Sequence, residues 1–591
     1  RPPGVAPAVR DTLLARFYAW ARPYRGSYAR GLGWLLATNV LILGIPWLVR
    51  DAVHKLQARA PRGAIAADAL AIVAVALVQA VVRTQSRLEI LGTSRRIAYD
   101  AREAFFGKLL TLDARFYDSQ RTGDIMSRGI NDLQLLQSFY GPGLMNALNT
   151  AIVYALTVVV MLRLDALLSL IALSTFPPLY LAVNRLSRRV YARSLAVQEQ
   201  LAEISSRAQE NLSGIQQVRI FGQEEREIAA FRALCDDFRR KSLALSRSRA
   251  AMISLIGVFA GLGTLLVLFV GGLHVIRGRI TLGDFVAFNA YLGQLAWPTI
   301  ALGWMVNVFQ RAAGAMRRLD EIFLAEPAIP PPEPGEPAPP LPAGDIEIRD
   351  LTFAYDSSRE RPALSGVTLR IPRGSRVALV GTVGSGKSTL AHLLARVYPA
   401  PAGTVFLGGA DVTTLPVARV RAAVALVPQE ALLFSRTLAE NIALGRASAS
   451  EADIENAARR AALTSEIRAL PSGLATVVGE RGYTLSGGQR QRATLARALL
   501  ADAPVLILDD ALSSVDADTE RAILSALEAD RRERTLILAT HRLSTLTAVD
   551  RIVVLESGRV VEDGPHDALI ARDGVYARLF RRQQLEERLT G

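Results

Sequence analysis

Long apolar runs alternate with charged, helix-patterned segments in the part of the chain before Gln310. Six runs are long enough to cross a membrane, because a spanning helix needs about 20 largely apolar residues. They lie at residues 31–49, 64–82, about 140–162, 166–184, 250–276 and 285–309. The pattern therefore predicts an all-α domain of six membrane-spanning helices.

The connections between these runs have two very different lengths. Those after the second and fourth runs, residues 83–139 and 185–249, are long, charged and poor in helix-breaking residues. We expect the helices to continue out of the membrane, turn and return. One turn is expected near residues 118–126, with a short helix bracketed by Asp118/Ser119 and Gly123/Asp124, and the other near 211–222. These turns are either ordinary helical hairpins or, as we favour, short coupling helices that dock on another domain.

A proline-rich segment at residues 325–343 ends the apolar half and is expected to form a semi-rigid spacer. It divides the chain into a transmembrane domain (1–324), a linker and a second domain (344–591). In the second domain, strand-like runs alternate with helical patterns, which predicts an α/β fold. Its first strands, expected at 345–353 and 367–371, indicate a β-rich lobe at its start.

A phosphate-binding loop, GTVGSGKST, follows the apolar run at 377–380 and precedes a predicted helix at 390–398. Its backbone N–H groups can surround nucleotide phosphates, Lys387 brings positive charge to the β- and γ-phosphates, and Ser388 offers a hydroxyl to Mg²⁺. The nucleotide-binding residues are Gly381, Thr382, Val383, Gly384, Ser385, Gly386, Lys387, Ser388 and Thr389. Alone, the motif predicts only that ATP or GTP binds.

A second motif, which ends in acidic residues, strengthens the prediction of nucleotide binding. Residues 505–509, VLILD, are typical of a buried parallel strand that ends in a Mg²⁺-holding carboxylate, Asp509. Asp510 follows directly, where a carboxylate can orient or deprotonate the attacking water. Ser388, Asp509 and Gln429 are the predicted metal ligands.

Three further side chains are expected around the nucleotide. Gln429 follows a strand and can offer its amide oxygen to Mg²⁺ or water. His541 follows the predicted strand 535–539, at the edge where ligands bind in parallel sheets, which favours contact with the γ-phosphate. Tyr355 precedes the phosphate loop and can stack on a nucleobase, although a lone tyrosine is otherwise usually part of a core.

The sequence LSGGQ before a predicted helix at 490–500 forms a second candidate anion site, because small residues at a helix N-terminus expose backbone N–H groups. Its nucleotide-binding residues are Ser486, Gly487, Gly488 and Gln489. They lie far along the chain from the phosphate loop. Either the two motifs fold together, or this one contacts the nucleotide held by a second subunit.

The net charge of +14 first suggests nucleic-acid binding. We favour the alternative, no nucleic acid, since basic residues on cytoplasmic loops fix membrane orientation and contact anionic lipids. Arginines before the first run place the N-terminus in the cytoplasm. The one cysteine, Cys235, excludes an intrachain disulfide and a cysteine-cluster metal site. The Ala- and Arg-rich composition suggests a bacterial cytoplasmic membrane.

The chain resembles the ATP-binding cassette (ABC) transporters, specifically exporter-type half-transporters. The resemblance rests on four features that follow the six apolar runs in the family's order: GTVGSGKST, LSGGQ, VLILDD and His541. The resemblance implies a dimer in which each ATP lies between one phosphate loop and the other subunit's LSGGQ. It further implies that Tyr355 stacks on the base, Gln429 is the Q-loop glutamine, residues 513–516 form the D-loop and His541 is the switch histidine. The implied cofactors are ATP and Mg²⁺.

One residue departs from the family pattern: the usual catalytic glutamate is Asp510, whose side chain is one methylene shorter. A carboxylate drawn back by roughly 1 Å can lose on the order of 100-fold in rate. In this family, such an aspartate often marks the subunit of a heterodimer whose own ATP site is slow. The resemblance to multidrug-resistance-like heterodimer subunits implies a partner chain with a catalytic glutamate.

The resulting prediction is ATP-driven export of an amphipathic or hydrophobic substrate by alternating access. The alternatives are a homodimeric exporter or lipid flippase that hydrolyses ATP at both sites, and a non-catalytic ATP-binding regulatory subunit. An ATP-gated channel has no support beyond the shared architecture. Polar and aromatic residues in the spans can line a substrate cavity or pack helices equally well; they are Trp34, Asn39, Asn146, Asn149, Tyr154, Asn289, Gln294, Trp297, Trp304 and Asn307.

Overall fold

The computed structural model describes residues 12–331, 344–356, 361–479, 482, 484–529, 534–540, 546 and 549–590. They divide into two compact units. The helical unit runs to Gly107 and resumes from Met126 to Leu324, whereas the α/β unit contains Lys108–Ile125 and the chain from Ala325 onward. The first predicted coupling segment therefore belongs to the α/β unit.

Long helices build the first unit, in line with its apolar and helix-patterned sequence. In chain order, the helices before the linker are α1 Leu13–Ala21, α2 Arg25–Gln57, α3 Arg62–Thr111, α4 Ala114–Ser119, α5 Thr122–Ser127, α6 Leu133–Ser138, α7 Leu144–Leu164, α8 Ala166–Leu173, α9 Phe176–Ser213, α10 Ile215–Ile220, α11 Glu224–Leu266, α12 Gly272–Ile276 and α13 Leu282–Phe323. Wider π-helical turns at Arg128–Asp132, Phe139–Gly143 and Val267–Gly271 join neighbouring helices.

Five helical stretches within the described residues are long and apolar enough to cross a membrane. They are Leu13–Gln57, Arg62–Thr111, Thr122–Leu164, Ala166–Ser213 and Glu224–Ile276, and they contain the first five predicted runs. The sixth run lies in α13, a single helix of 42 residues. Its apolar sequence is interrupted by polar residues such as Asn289 and Gln294.

The fourth predicted span is broken, which periodicity did not reveal. The helix α8 ends at Leu173, and α9 begins at Phe176 with proline in its first turn. A proline donates no backbone hydrogen bond to the preceding turn and is best accommodated where a helix starts. The Phe-Pro-Pro sequence therefore restarts the helix at this point.

The predicted short helix between Asp118/Ser119 and Gly123/Asp124 was wrong in position. The chain forms α4 before this stretch and α5 after Arg121, and Gln120 between them has an extended backbone. The Ser119 hydroxyl donates to the Phe116 carbonyl, 2.8 Å away, so a residue expected at a helix start instead helps to end one. In the second turn, the short helix α10 lies within the predicted segment.

Some of the polar residues of the spans join neighbouring helices, which is one of the two roles that the sequence left open. Asn39 donates to the Asn149 side-chain oxygen at 3.0 Å, which joins two helices of the helical unit. Gln294 donates to the Ile42 carbonyl at 3.4 Å. By contrast, Trp297 is 70% exposed.

Two sheets organise the α/β unit. The strands are β1 Ile346–Phe353, β2 Leu364–Ile371, β3 Arg376–Val380, β4 Val405–Leu407, β5 Ala410–Asp411, β6 Val424–Val427, β7 Val505–Asp509, β8 Thr535–Ala539, β9 Arg551–Glu556 and β10 Arg559–Gly564. The predicted β-rich lobe is an antiparallel sheet in the order β2–β1–β4–β5, and the larger sheet has the order β10–β9–β3–β8–β7–β6. Among the described strands of the larger sheet, β9 and β10 pair antiparallel and the other neighbours pair parallel.

The core strands are mostly apolar, as expected for parallel strands covered on both faces. All five residues of β7 and of β8 are buried. The helices of this unit after the linker are α14 Lys387–Leu394, α15 Val417–Ala423, α16 Leu438–Ala443, α17 Glu451–Arg460, α18 Thr464–Ala469, α19 Gly487–Ala501, α20 Ala517–Ala529, α21 His566–Ala571 and α22 Val575–Thr590.

Candidate nucleotide-binding site

The larger sheet brings the predicted motifs to one edge. Strands β3, β8, β7 and β6 are neighbours and run parallel, so their carboxyl ends meet at the same side, where ligands bind in such sheets. The phosphate loop follows β3, Asp509 ends β7, Thr540 follows β8 and Gln429 lies two residues after β6. His541 lies outside the described residues, and Gln429 is exposed.

The phosphate loop has the backbone that its glycines predict. Gly386 has φ of 103°, and a Cβ on it would lie 2.6 Å from a Leu364 methyl group and 2.7 Å from the Ala363 carbonyl. Only glycine fits this position, since L-residues avoid positive φ and a side chain would collide with the neighbouring backbone. The following residue, Lys387, begins α14, three residues earlier than predicted. The helix N-terminus thus opens directly onto the loop, as an anion site requires.

Lys387 lies against the loop from which it would contact phosphate. Its ammonium group donates to the carbonyls of Gly381 at 2.8 Å and Thr382 at 2.9 Å. Burial lowers the pKa of Lys387, while the charges of Asp509 and Asp510 oppose that change. The lysine is thus a partly desolvated cation, and such a charge acts more strongly on a bound anion than one in water.

The predicted metal ligands Ser388 and Asp509 are adjacent. The Ser388 hydroxyl donates to a carboxylate oxygen of Asp509 over 3.0 Å, and Asp509 is buried. A hydroxyl and a carboxylate beside a phosphate loop fit Mg²⁺, a hard cation that takes few protein ligands together with nucleotide oxygens. Within the described residues, no group of three or more His, Cys, Asp or Glu side chains could hold a metal. These two side chains would therefore hold Mg²⁺ jointly with the nucleotide.

Asp510 has a left-handed backbone conformation, with φ of 49°. Its N–H donates to the Ala539 carbonyl at 2.8 Å, which ties it to the end of β8. Aspartate is among the few non-glycine residues that adopt this conformation readily, because its short polar side chain can bond locally. The backbone at this position thus gives a physical reason why an aspartate is accommodated here.

Glu520 is a residue near this site that the sequence analysis missed. It is 2% exposed and, with Asp510, Ser513 and Thr540, lines a cavity of about 20 Å³. Such a cavity has room for about one water molecule. A fully buried glutamate on α20 carried no sequence signal, because acidic residues in a first helical turn are common on surfaces.

Tyr355 lies in a cluster of aromatic rings beside α14. Its ring centroid is 5.2 Å from that of Phe353 and 5.2 Å from that of Tyr398, both edge to face. Its hydroxyl donates to Thr389 at 3.0 Å, and burial raises the pKa of Tyr355, so the phenol stays protonated. The tyrosine is thus both a core residue and a neighbour of the phosphate loop.

The LSGGQ residues cap α19, which begins at Gly487, three residues before the predicted start. The Ser486 hydroxyl accepts from the Gln489 N–H at 3.3 Å, and the Ser486 N–H donates to the Gln489 side chain at 2.9 Å. This reciprocal capping box fixes the helix N-terminus. The D-loop packs beside it, since Gln491 donates to the Ser513 hydroxyl at 2.9 Å. None of the hydrogen bonds described for Ser486 or Gln489 joins the phosphate loop.

Comparisons with known proteins agree with this geometry. The family described as "ABC transporter transmembrane region" matches residues 33–299, and the family described as "ABC transporter" matches residues 364–513. The chain is 33% identical over 581 residues to "Probable multidrug resistance ABC transporter ATP-binding/permease protein YheI" of Bacillus subtilis, covering 97% of this chain and 98% of that protein. This chain belongs to the ABC transporters of the exporter type.

Other relatives and a solved structure support the same assignment. The exporter is 34% identical to the "Multidrug resistance-like ATP-binding protein MdlA" of Escherichia coli, covering 88% of this chain and 87% of that protein. It is 35% identical to the "ATP-dependent lipid A-core flippase" of Chromobacterium violaceum, covering 94% of this chain and 97% of that protein. The solved structure of a bacterial Atm1-family ABC exporter with ATP bound superposes with a TM-score of 0.79 at 29% identity. The match covers 95% of this chain and 99% of that one.

These findings confirm the predicted fold class and the broad function. The exporter has a helical transmembrane domain followed by an α/β cassette, and it is an ATPase whose hydrolysis is coupled to transport. It spans the cytoplasmic membrane with its cassette in the cytoplasm. The transmembrane location also accounts for the apolar composition, and basic residues on cytoplasmic loops are typical of membrane proteins.

A contact that the sequence did not predict links α4 of the exporter to the aromatic cluster. Within the α/β unit, the Tyr398 hydroxyl donates to the Asp118 carboxylate at 2.7 Å. The Arg115 guanidinium lies 5.9 Å from the Phe353 ring centroid, and Ala114 packs on the same core. Burial raises the pKa of Tyr398, which keeps the hydroxyl a donor. A continuous set of contacts thus leads from Asp118 through Tyr398 and Tyr355 to Thr389.

Replacing Tyr398 by phenylalanine removes only the hydroxyl of this contact. We expect α4 to dock less firmly, by about 1 kcal/mol, because a hydrogen bond to an accessible charged group is lost while the ring packing stays. Hydrogen–deuterium exchange should show residues 113–119 exchanging about fivefold faster. Tyr291→Phe is the control, since it removes a hydroxyl that donates to Leu43 in the helical unit. Unchanged protection of α4 would contradict a docking role for Tyr398.

Proposed function

We propose that this chain is one half of a heterodimeric exporter that moves an amphipathic or hydrophobic compound out of the cytoplasm by alternating access. Its own ATP site would be slow, and the partner, a chain with a catalytic glutamate, would hydrolyse most of the ATP. The observation that carries this proposal is Asp510. Its shorter side chain stands where the family's catalytic base is expected, on a left-handed backbone that suits aspartate.

We attribute the slow hydrolysis to the short side chain of Asp510 and not to the loss of a nucleotide-binding residue. The contacts of Lys387 with the phosphate loop and of Ser388 with Asp509 support binding of ATP and Mg²⁺ at this site. A base drawn back by roughly 1 Å lowers the rate on the order of 100-fold while leaving nucleotide binding intact. The chain is therefore expected to hold ATP for long periods.

The LSGGQ segment supports a role in the partner's ATP site. Ser486 is exposed, and the segment's capping box and its contact with the D-loop form within this chain alone. A helix N-terminus completed in this way is prepared to bind an anion brought by another molecule. We infer that it contacts the γ-phosphate of the ATP held by the partner.

The contact between Asp118 and Tyr398 supports a coupling role for α4, and α10 would be the second coupling helix. Movement of the cassettes on ATP binding would then reach the spans through these short helices. The relatives named for multidrug resistance favour a hydrophobic or amphipathic drug as cargo.

Relatives named as lipid A-core flippases favour a second candidate, a homodimeric lipid flippase that hydrolyses ATP at both sites. In that case Asp510 must support all of the hydrolysis. A third candidate is a regulatory subunit that binds ATP without hydrolysing it. In that case Asp510 must not contribute to hydrolysis.

Substitution of Asp510 separates these candidates. In the purified complex, Asp510→Ala should change steady-state ATP turnover by less than about twofold, and Asp510→Glu should raise it by no more than about twofold, because only one of two sites is affected. A homodimer would instead lose about 100-fold with alanine, since both bases are removed. If Asp510→Glu fails to raise the release of ADP from this chain's own site, the regulatory subunit is favoured.

The matched control is Asp518→Ala, which removes an exposed carboxylate on α20 that pairs with Arg521. It should leave turnover unchanged. A large loss with Asp510→Ala but not with Asp518→Ala would contradict the proposed slow site.

A further inference from the structure

A cavity of about 110 Å³ lies between α9, α11 and α13 in the helical unit. Its lining is largely apolar and includes Phe176 and Leu179 of α9, Ile256 and Phe259 of α11, and Leu292 of α13. Empty apolar cavities of comparable size stay dry and accept small apolar groups. This cavity is therefore suited to the end of a hydrocarbon chain.

Two glycines keep the cavity open. A Cβ on Gly263 would be in ordinary contact with Thr175 and Leu292 at 3.5 and 3.8 Å, and a Cβ on Gly293 would have nothing within 4 Å. A glycine inside a helix costs about 1 kcal/mol relative to alanine. Alanine would fit at both positions, so close packing of the helices does not require glycine there.

Five arginines lie on the same two helices toward the cytoplasmic end of their apolar segments: Arg185, Arg188 and Arg189 on α9, and Arg247 and Arg249 on α11. All are exposed, and within the part of the chain that the structure describes none of their side chains makes a hydrogen bond or an ion pair. The sequence has no Asp or Glu at residues 185–198 or 238–256. Their positive charge is therefore not neutralised by neighbours in these segments.

The arginines and the cavity are separated by about the depth of one leaflet. The Ser187 hydroxyl contacts the Met252 sulfur at 3.7 Å, so Arg189 and Arg249 lie at similar heights on the paired helices. Arg249 precedes Ile256 by seven residues, which places both on one helix face about 10 Å apart along the axis. From Arg189 back to Leu179 the distance along α9 is about 15 Å. Half the hydrocarbon core of a bilayer is also about 15 Å thick.

We propose that α9, α11 and α13 form a binding site for an anionic phospholipid of the cytoplasmic leaflet. Its phosphate would bind Arg189 and Arg249, and one acyl chain would end in the cavity. Arginine suits this role because its planar fork donates two parallel bonds to phosphate oxygens. The site goes beyond the export cycle and does not depend on which ATP site is fast.

Lipid retention tests this proposal on the intact complex. The complex is reconstituted in mixed phosphatidylglycerol and phosphatidylcholine, and the lipids it retains are counted by native mass spectrometry. The unmodified complex should retain phosphatidylglycerol preferentially. The double variant Arg189→Gln/Arg249→Gln should lower that retention about tenfold, because two phosphate-binding charges are lost. Gly263→Leu, which fills the cavity, should lower it severalfold without changing any charge.

Matched controls use the same helices. Gly263→Ala adds a methyl group that fits, and Arg226→Gln/Arg232→Gln removes two exposed arginines farther along α11; both should behave as the unmodified complex. Gly293→Leu reaches the cavity from α13 and replaces Gly263→Leu if that variant does not fold. The proposal is overturned if the arginine variants lose phosphatidylglycerol but neither leucine variant does, since diffuse surface charge then explains the binding. It is equally overturned if the distant arginine pair has the same effect.

Discussion

Replacing Lys387 by alanine should abolish ATP binding at this chain's own site. The ammonium group lies within 2.9 Å of two carbonyls of the phosphate loop, and the motif places this lysine on the β- and γ-phosphates. Its loss removes a positive charge beside Asp509 and Asp510, whose negative charges then act more strongly against a bound anion. Hydrogen bonds to charged groups contribute up to about 3 kcal/mol, so their loss weakens ATP binding by up to about 100-fold.

Photolabelling with 8-azido-ATP measures this effect on each subunit separately. Labelling of this chain should fall about 100-fold, and labelling of the partner should persist. Lys241→Ala provides the control, because it removes a lysine outside the cassette that pairs with Asp237. Unchanged labelling of this chain in Lys387→Ala would contradict the assignment of the phosphate loop.

A single methyl group at Gly488 should stop most ATP turnover of the complex while leaving this chain's own ATP binding intact. A Cβ at this position would lie 2.7 Å from the Ser514 carbonyl. Since that atom belongs to backbone, the start of α19 and the D-loop must move apart. A displacement of about 1 Å at the helix N-terminus can cost about 100-fold in rate at a phosphate that it contacts.

The measurement is steady-state turnover combined with photolabelling of this chain. Gly488→Ala should lose about 100-fold in turnover with its labelling unchanged. Gly92→Ala serves as control, since a Cβ there would have nothing within 4 Å. If turnover survives in Gly488→Ala, this chain's LSGGQ does not complete the fast site.

The parts of the site that the sequence predicted are those fixed by neighbouring residues. The phosphate loop, the strand ending in Asp509 and the helix after Ser486 all depend on local spacing, and the helix starts differed from prediction by three residues. The meeting of the phosphate loop and Asp509 at one sheet edge followed from the rule for parallel strands.

Features set by distant or irregular contacts were not predictable. The hydrogen bond between Tyr398 and Asp118 joins residues 280 positions apart, and no pattern marks such a pair. The break before Phe176 and the break at Gln120 depend on how single residues end a helix, which apolar periodicity does not register. The left-handed conformation of Asp510 was equally hidden, although it bears directly on the one departure from the family pattern.

The central claim is that this chain works beside a different subunit that supplies the catalytic glutamate. Native mass spectrometry of the complex, isolated from its own membrane through a tag on this chain, tests it most directly. We predict one copy of this chain with one copy of a second transmembrane cassette protein, which has glutamate at the position matching Asp510. A complex of two copies of this chain would contradict the account, because both ATP sites would then depend on Asp510.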